Sequence, residues 1–205
     1  MKYFTILLIF LNSLAGYSQK DTSLLYDAGE IKKLYIITEE VFKINIKTGD
    51  TDKITLSTHS EGEYYNDISL EMAVEQDKMV LSSKFPSRLQ GGYDKLSAQK
   101  VFSMEITLEI PEGLEVYVKS NMGSLMGSGS YKYLEAELRT GNCELENFTG
   151  NALINTYSGR TEVETSNATI TASSRSGKVS LPFNISGPNK IEIRSISGDI
   201  RVREN

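Results

Sequence analysis

Tryptophan is absent from the chain, and cysteine and histidine occur once each, as Cys143 and His59. A single cysteine excludes a disulfide within the chain, a CxxC redox pair and a cysteine-rich metal site. A single histidine excludes a multi-histidine metal centre. Around it, in "STHSEGEYY", no Cys/His or Ser/His/Asp arrangement marks a nucleophile. Phosphate loops and dinucleotide fingerprints are missing too. Lys and Arg total 22 against 27 Asp and Glu, a net charge of −5 with no basic stripe, so nucleic acid is not an expected partner. After residue 11 no apolar run comes near the about 20 residues that a membrane span needs. Without disulfides the chain must be held by a core, and 205 residues are ample for one domain.

The one apolar run that does occur opens the chain, "MKYFTILLIFLNSLAGYSQK". A single cation at Lys2, an apolar stretch from Tyr3 to Leu11, and the small residues Gly16 and Ser18 before Gln19 read as a secretory signal over 1–18. A membrane anchor is the competing reading, but the run stops at Asn12 and Ser13, short of a bilayer. A lipoprotein would carry cysteine where Tyr17 stands, so no lipid anchor is expected. The expected location is the periplasm, the cell surface or the medium of a Gram-negative bacterium.

Glycine, by contrast, is abundant and periodic. Gly123, Gly141, Gly159 and Gly177 are 18 residues apart, and Gly198 follows after 21. Their neighbours recur as well. Seven before each glycine stand Val116, Leu134, Ala152, Ile170 and Ile191, and two after stand Leu125, Cys143, Thr161, Val179 and Ile200. The columns between are polar, among them Lys119, Glu137, Asn155, Ser173 and Arg194. Alternation of period two on both sides of a glycine describes two half-buried strands joined by a tight turn, with glycine supplying a positive φ. Identical columns every 18 residues favour a coil over hairpins, since equivalent strands then stack as parallel neighbours about 4.8 Å apart. The predicted fold is all-β: a flattened β-solenoid, single-stranded and β-helix-like, with two facing sheets and 18-residue coils over 111–205. Right-handed winding is the default for parallel crossovers. The loop "LPFNISGPNK" carries Pro182 and Pro188 and reads as a bulge, and "IRVREN" as an open edge strand.

From residue 19 to 110 the period is lost, but β-branched alternating segments such as "FKINIKTG", "KITLSTH" and "SMEITLEIP" persist. They predict an irregular N-terminal β region that caps the first coil. The stretch Pro86 to Lys100, with paired glycines, reads as a longer loop of the kind that is often functional or mobile. The phrases "FKINIKTGDTDKI" and "GYDKLSAQK", with the Ser-Gly-punctuated C-terminal half, resemble the exported bacterial proteins grouped as putative adhesins, including the putative auto-transporter adhesin head domain. The resemblance covers most of the chain after the signal. It implies a pectin-lyase-like solenoid with Gly-Ser-Gly turns between its sheets, no established catalytic residues and a role in adhesion. Here that triplet stands only in "GSGS" at Gly127 to Ser130.

Outward columns supply the candidate interaction residues. Arg139, Tyr157 and Arg175 stand two before successive turns and could stack on a sugar ring or grip an anion; a plain exposed ladder is the alternative. Glu144 over Glu162 and Glu146 over Glu164 could form a hard-cation site, or splay into solvent. Cys143 falls in an apolar column and reads as a buried, inert thiol rather than a reactive one. No catalytic, cofactor-binding or metal-binding residue is assigned. The expected function is an exported, non-enzymatic binding or adhesion module with a glycan or envelope protein as partner. The alternatives are a carbohydrate-active enzyme on a pectin-lyase-like scaffold and a periplasmic envelope-stress or signalling accessory.

Overall fold

The computed structural model describes residues 19–62, 69–84 and 102–205, and over these it is all-β, with fifteen strands and no helix. The expected signal segment at 1–18 and the Pro86 to Lys100 loop lie outside the described residues.

The strands are β1 (Gln19–Asp27), β2 (Lys33–Thr38), β3 (Lys43–Gly49), β4 (Lys53–Gly62), β5 (Ser69–Glu75), β6 (Lys78–Lys84), β7 (Phe102–Pro111), β8 (Glu115–Ser120), β9 (Ser124–Leu138), β10 (Cys143–Thr156), β11 (Thr161–Thr165), β12 (Ala168–Ser174), β13 (Val179–Ser180), β14 (Asn189–Ser195) and β15 (Ile200–Arg203). Pairing divides them into two runs. One is β1-β4-β7-β3-β9-β10-β11-β15-β13, and the other is β5-β6-β2-β8-β9-β10-β14-β12. β9 and β10 belong to both because each bends midway. The first half of β9 pairs with β3, and its second half pairs with β8. The bend falls in the "GSGS" of β9, where Gly129 has φ +98° and a Cβ would lie 2.2 Å from Thr48 Oγ1. The Ser130 N–H donates to that Thr48 hydroxyl at 2.6 Å, which ties the corner to the strand beside it.

Side-chain alternation does what the period demands. In β9, Leu125, Tyr131, Leu134, Ala136 and Leu138 are buried, and all belong to one core cluster shared by both runs. A fully buried Ile or Leu contributes about 1.5–3 kcal/mol by leaving water, so each inner column acts as a continuous apolar seam. Register partners match the sequence columns: Val116 pairs with Leu134 and Leu134 with Ala152, while Leu125 pairs with Cys143 and Cys143 with Thr161, all parallel.

The stacking order of the last four strands differs from sequence order. Ala152 pairs with Ile191, and Ile191 pairs with Ile170; likewise Thr161 pairs with Ile200, and Ile200 with Val179. The chain therefore lays β12 and β13 outermost, then returns to insert β14 and β15 beneath them. The long Pro-Gly-Pro loop supplies the extra length for the return, and β15 is an inner strand rather than the expected open edge. The N-terminal strands likewise depart from an irregular cap. β2 and β3 stack in parallel on β8 and β9, pairing Leu34 with Val116 and Ile44 with Leu125. β6 and β7 continue outward from them in parallel, and only the pairings of β1, β4 and β5 are antiparallel.

Two kinds of turn lead from strands of the second run to strands of the first. At Gly123, Gly177 and Gly198 the residue three earlier is Ser120, Ser174 or Ser195, whose Oγ accepts the glycine N–H at 2.8–2.9 Å. These glycines do not have a positive φ. At Gly141 and Gly159 the equivalent residues are Leu138 and Thr156, and there the glycines adopt φ +111° and +110°. The predicted positive φ thus holds for two of the five. What every turn shares is crowding along the stack: a Cβ on Gly159 would lie 2.0 Å from Gly141 O, and one on Gly198 would lie 1.8 Å from Gly159 O.

Candidate surface groove on the second sheet run

The outward column of β8, β9, β10 and β14 is Lys119, Glu137, Asn155 and Arg194, placed side by side by parallel register. Strand alternation turns it away from the core, since the flanking Val118, Ala136, Ile154 and Ile193 are buried. One step further along, where the strands enter their turns, stand Arg139, Tyr157 and Ile196. Backbone bonds fix this second column: Tyr157 N–H donates to Leu138 O at 2.9 Å and Ile196 N–H donates to Thr156 O at 3.1 Å. The two columns wall an open groove of 430 Å³.

Its charges are unequally engaged. Lys119 Nζ lies 3.3 Å from Glu137 Oε2, and Arg194 Nε donates to Glu192 Oε1 at 2.9 Å. The Arg139 guanidinium has no partner among the described residues. Tyr157 is 61 % exposed and Ile196 43 %, so an aromatic face, an aliphatic patch and an unpaired cation meet at one rim. Lys119 and Glu137 also border a second depression of 200 Å³ with Tyr35, Ile37 and Tyr117. There the rings of Tyr35 and Tyr117 stack at 4.6 Å and 7°, and Tyr133 tilts against Tyr117 at 5.9 Å. The Tyr117 hydroxyl donates to Glu115 at 3.1 Å; burial first, and then this carboxylate, push its pKa up to about 12. The ring is therefore a neutral aromatic surface at physiological pH.

The sequence placed Arg139, Tyr157 and Arg175 in one column. Arg139 and Tyr157 are neighbours on the groove rim, but Ile196 stands between Tyr157 and Arg175, because the last lap is inserted there. Arg175 does not line the groove. Ile196 and the Tyr35–Tyr117 stack were missed. The tyrosines left a signal in "LYII" and "VYVK", which share an apolar-Tyr-apolar pattern, whereas Ile196 left none, since its position depends on lap order.

The glutamates are not gathered into one cluster. Glu144 and Glu162 are register partners, but a bulge after Leu145, with Asn147 at φ +46°, leaves Glu146 without a partner in β11. Arginines occupy the place a cation would take. Arg160 and Arg203 approach the two carboxylate oxygens of Glu162 at 3.4 and 3.3 Å, and Glu164 is the register partner of Arg203. Glu144 and Glu146 instead border a separate depression of 290 Å³ with Lys47, Glu109 and Ser128. Among the described residues no group of three or more His, Cys, Asp or Glu is placed to hold a metal ion.

His59 lies on the outer face of β4, far along the sheet. Its Nδ1 is 2.6 Å from Asp21 Oδ1 and its Nε2 is 2.8 Å from Glu61 Oε1. Hydrogen bonds to Asp21 and then Glu61 raise its pKa to about 9. Held in this way, the ring favours its imidazolium form at neutral pH and donates to both carboxylates. Cys143 is fully buried and its thiol is pushed up to about 12 by that burial, in keeping with the inert reading.

No protein-family model matches the chain, and no curated protein matches it in sequence. Among solved structures, the fold is similar to that of a putative cell adhesion protein from Clostridium sporogenes ATCC 15579, with a TM-score of 0.65 and 17% identity over 91% of this chain and 100% of that one. Weaker similarity extends to a putative adhesin from Bacteroides fragilis NCTC 9343, with TM-score 0.32 and 12% identity over 91% of this chain and 97% of that one. A putative lipid binding protein from Parabacteroides distasonis ATCC 8503 gives TM-score 0.32 and 12% identity over 92% and 98%. Only the first of these bears on the fold.

Proposed function

We propose that the protein is an exported, non-enzymatic binding module whose groove at Arg139, Tyr157 and Ile196 takes a glycan of the cell envelope or of a neighbouring surface. The observation that carries this is the pairing, on one rim, of an exposed tyrosine ring with a guanidinium that no carboxylate neutralises among the described residues. A sugar ring packs its C–H face on an aromatic side chain, while arginine binds its hydroxyls or an acidic substituent bidentately. Asn155 and Arg194 on the groove floor offer further hydrogen bonds.

Support for a binding role over catalysis comes from how the carboxylates are held. Glycoside hydrolysis needs two carboxyl groups flanking one bond. In the groove Glu137 is tied to Lys119, and outside it Glu162 is held between Arg160 and Arg203. The finer architecture belongs to the same reading: the chain after residue 110 winds as a flattened right-handed β-solenoid of 18-residue laps, and residues 1–18 direct export to the periplasm or surface. The similarity to a protein described as a putative cell adhesion protein is in accord with a surface role.

The test is a glycan array followed by titration calorimetry on the strongest hit. Tyr157→Ala and Arg139→Ala should each weaken binding about tenfold, a loss of stacking or of a charged hydrogen bond, with unchanged circular dichroism. Retention of no glycan, or wild-type affinity in both variants, would overturn the assignment. Release of unsaturated or reducing sugars from an acidic polysaccharide, abolished by Glu162→Gln or Arg175→Ala, would replace it with the enzymatic reading.

A further inference from the structure

The return of the last lap leaves β12 as the end strand of its run: it pairs with β14 on one side and with no strand on the other among the described residues. Such an edge presents unpaired backbone groups, and soluble proteins usually guard it with charge, proline or a bulge. β12 has none of these. Its sequence is Ala-Thr-Ile-Thr-Ala-Ser-Ser, uncharged from end to end. The inner side chains at this end are also incompletely covered, with Ile170 and Ala172 only partly buried against the core and Val179 41% exposed.

The direction of the free groups follows from one bond. Arg175 N–H donates to Ser195 O at 3.0 Å, so position 175 faces β14. Backbone groups alternate sides along a strand. Positions 173, 171 and 169 therefore face β14 as well, and the N–H and C=O groups of Ala168, Ile170 and Ala172 face outward. The five residues Ala168-Thr169-Ile170-Thr171-Ala172 read the same in both directions about Ile170. An antiparallel copy related by a two-fold axis at Ile170 would set Ile170 against Ile170, Ala168 against Ala172 and Thr169 against Thr171. In that register every hydrogen-bonded pair joins residues whose backbone groups are free, and every non-hydrogen-bonded pair is Thr with Thr, a favourable cross-strand match. A two-fold interface requires one surface to complement itself, and this strand does so in both backbone and side chains.

We propose that β12 is the seam of a symmetric dimer, in which two copies of this chain join edge to edge about Ile170 and continue the inner columns of Ile191 with Ile170 and of Ile193 with Ala172 from one core into the next. The axis is perpendicular to the sheet, so core faces stay on one side and the two grooves lie on the same outer surface. β13, with Val179, meets its counterpart on the opposite run.

Sedimentation velocity of the full chain across a concentration series tests this. The wild-type protein should sediment as a dimer that dissociates on dilution. Thr169→Lys with Thr171→Lys places like charges opposite each other twice across the seam and should weaken dimerisation about tenfold or more. Thr169→Glu with Thr171→Lys keeps both sites charged but makes each cross-seam pair opposite in sign, and should restore the dimer. Both double variants lose the Thr169 hydroxyl bond to Gly187 O, so a difference between them reports the seam and not folding. A monomer at every concentration up to about 0.5 mM, a range where weak pairs still associate, would overturn the proposal. So would growth past dimer, or a dimer equally tight in both variants.

Discussion

Replacing Gly159 with alanine adds one methyl group where adjacent laps leave no space for it. The new Cβ would stand 2.0 Å from Gly141 O and 2.7 Å from Gly141 C, in a backbone with φ +110°. Two costs follow. Holding a non-glycine residue at such a φ costs about 1–3 kcal/mol, and overfilling a packed site costs about 1–3 kcal/mol more. The sum is about 2–6 kcal/mol, a large share of the stability of a single domain. Gly198→Ala makes a similar clash, 1.8 Å from Gly159 O, without the positive φ, and should lose only the packing part. Gly49→Ala is the control, since nothing lies within 4 Å of its Cβ, and it should stay within about 1 kcal/mol of wild type. Urea unfolding followed by far-ultraviolet circular dichroism measures all three. A Gly159→Ala protein within about 1 kcal/mol of wild type, or no worse than Gly49→Ala, would refute the claim that carbonyl crowding along the stack keeps these positions glycine.

His59 is paired with two carboxylates and its folded pKa is raised from 6.5 to about 9, so its contribution is complete below pH 6.5, declines as pH rises and is gone above about 9. The one histidine should give a proton resonance titrating near pH 9, and His59→Asn should flatten the fall in Tm over that interval; a midpoint near 6.5 would contradict the geometry. Cys143, buried with its thiol pushed up to about 12, should resist a thiol reagent at neutral pH in the native protein and react fully in urea. Ile154→Ala, at a fully buried site with laps on both sides, should cost about 2–5 kcal/mol, and Ile170→Ala, at the end of the same core, less than half of that in the same urea experiment.

Column membership could be read from the sequence because it depends only on period. Val116, Leu134, Ala152, Ile170 and Ile191 do share one wall, and so do Leu125, Cys143, Thr161, Val179 and Ile200. Lap order could not be read in the same way, since equivalent columns fit each other in either sequence. The only mark was the 21-residue interval before Gly198, long enough to pass back over one lap. Arg139 beside Tyr157 was legible for the same reason, and Ile196 beside Tyr157 was hidden for the same reason. The N-terminal lap went unrecognised because its turn lacks the glycine: Val41 holds the place next to Gly123, where a Cβ on Gly123 would lie 2.5 Å from Val41 O. The bulge at Glu146 and Asn147 likewise broke a glutamate ladder that an unbroken period would have built.

In an ordinary stack the terminal unit has one neighbour and frays first. Here the last strands of the polypeptide, β14 and β15, have neighbours on both sides, and near the other end β6 and β7 sit inside β4 and β5 in the same way. The C-terminal strands are therefore clasped by earlier strands of the same chain, and peeling them requires two layers to leave together, whereas β1 ends its run and pairs with β4 alone. Amide exchange should accordingly be slower at Ile191 and Ile193, close to the C-terminus, than at Ile170 and Ala172, which precede them in the chain. A protease trimming from the carboxyl end would have to open the middle of the wall before it gained a foothold.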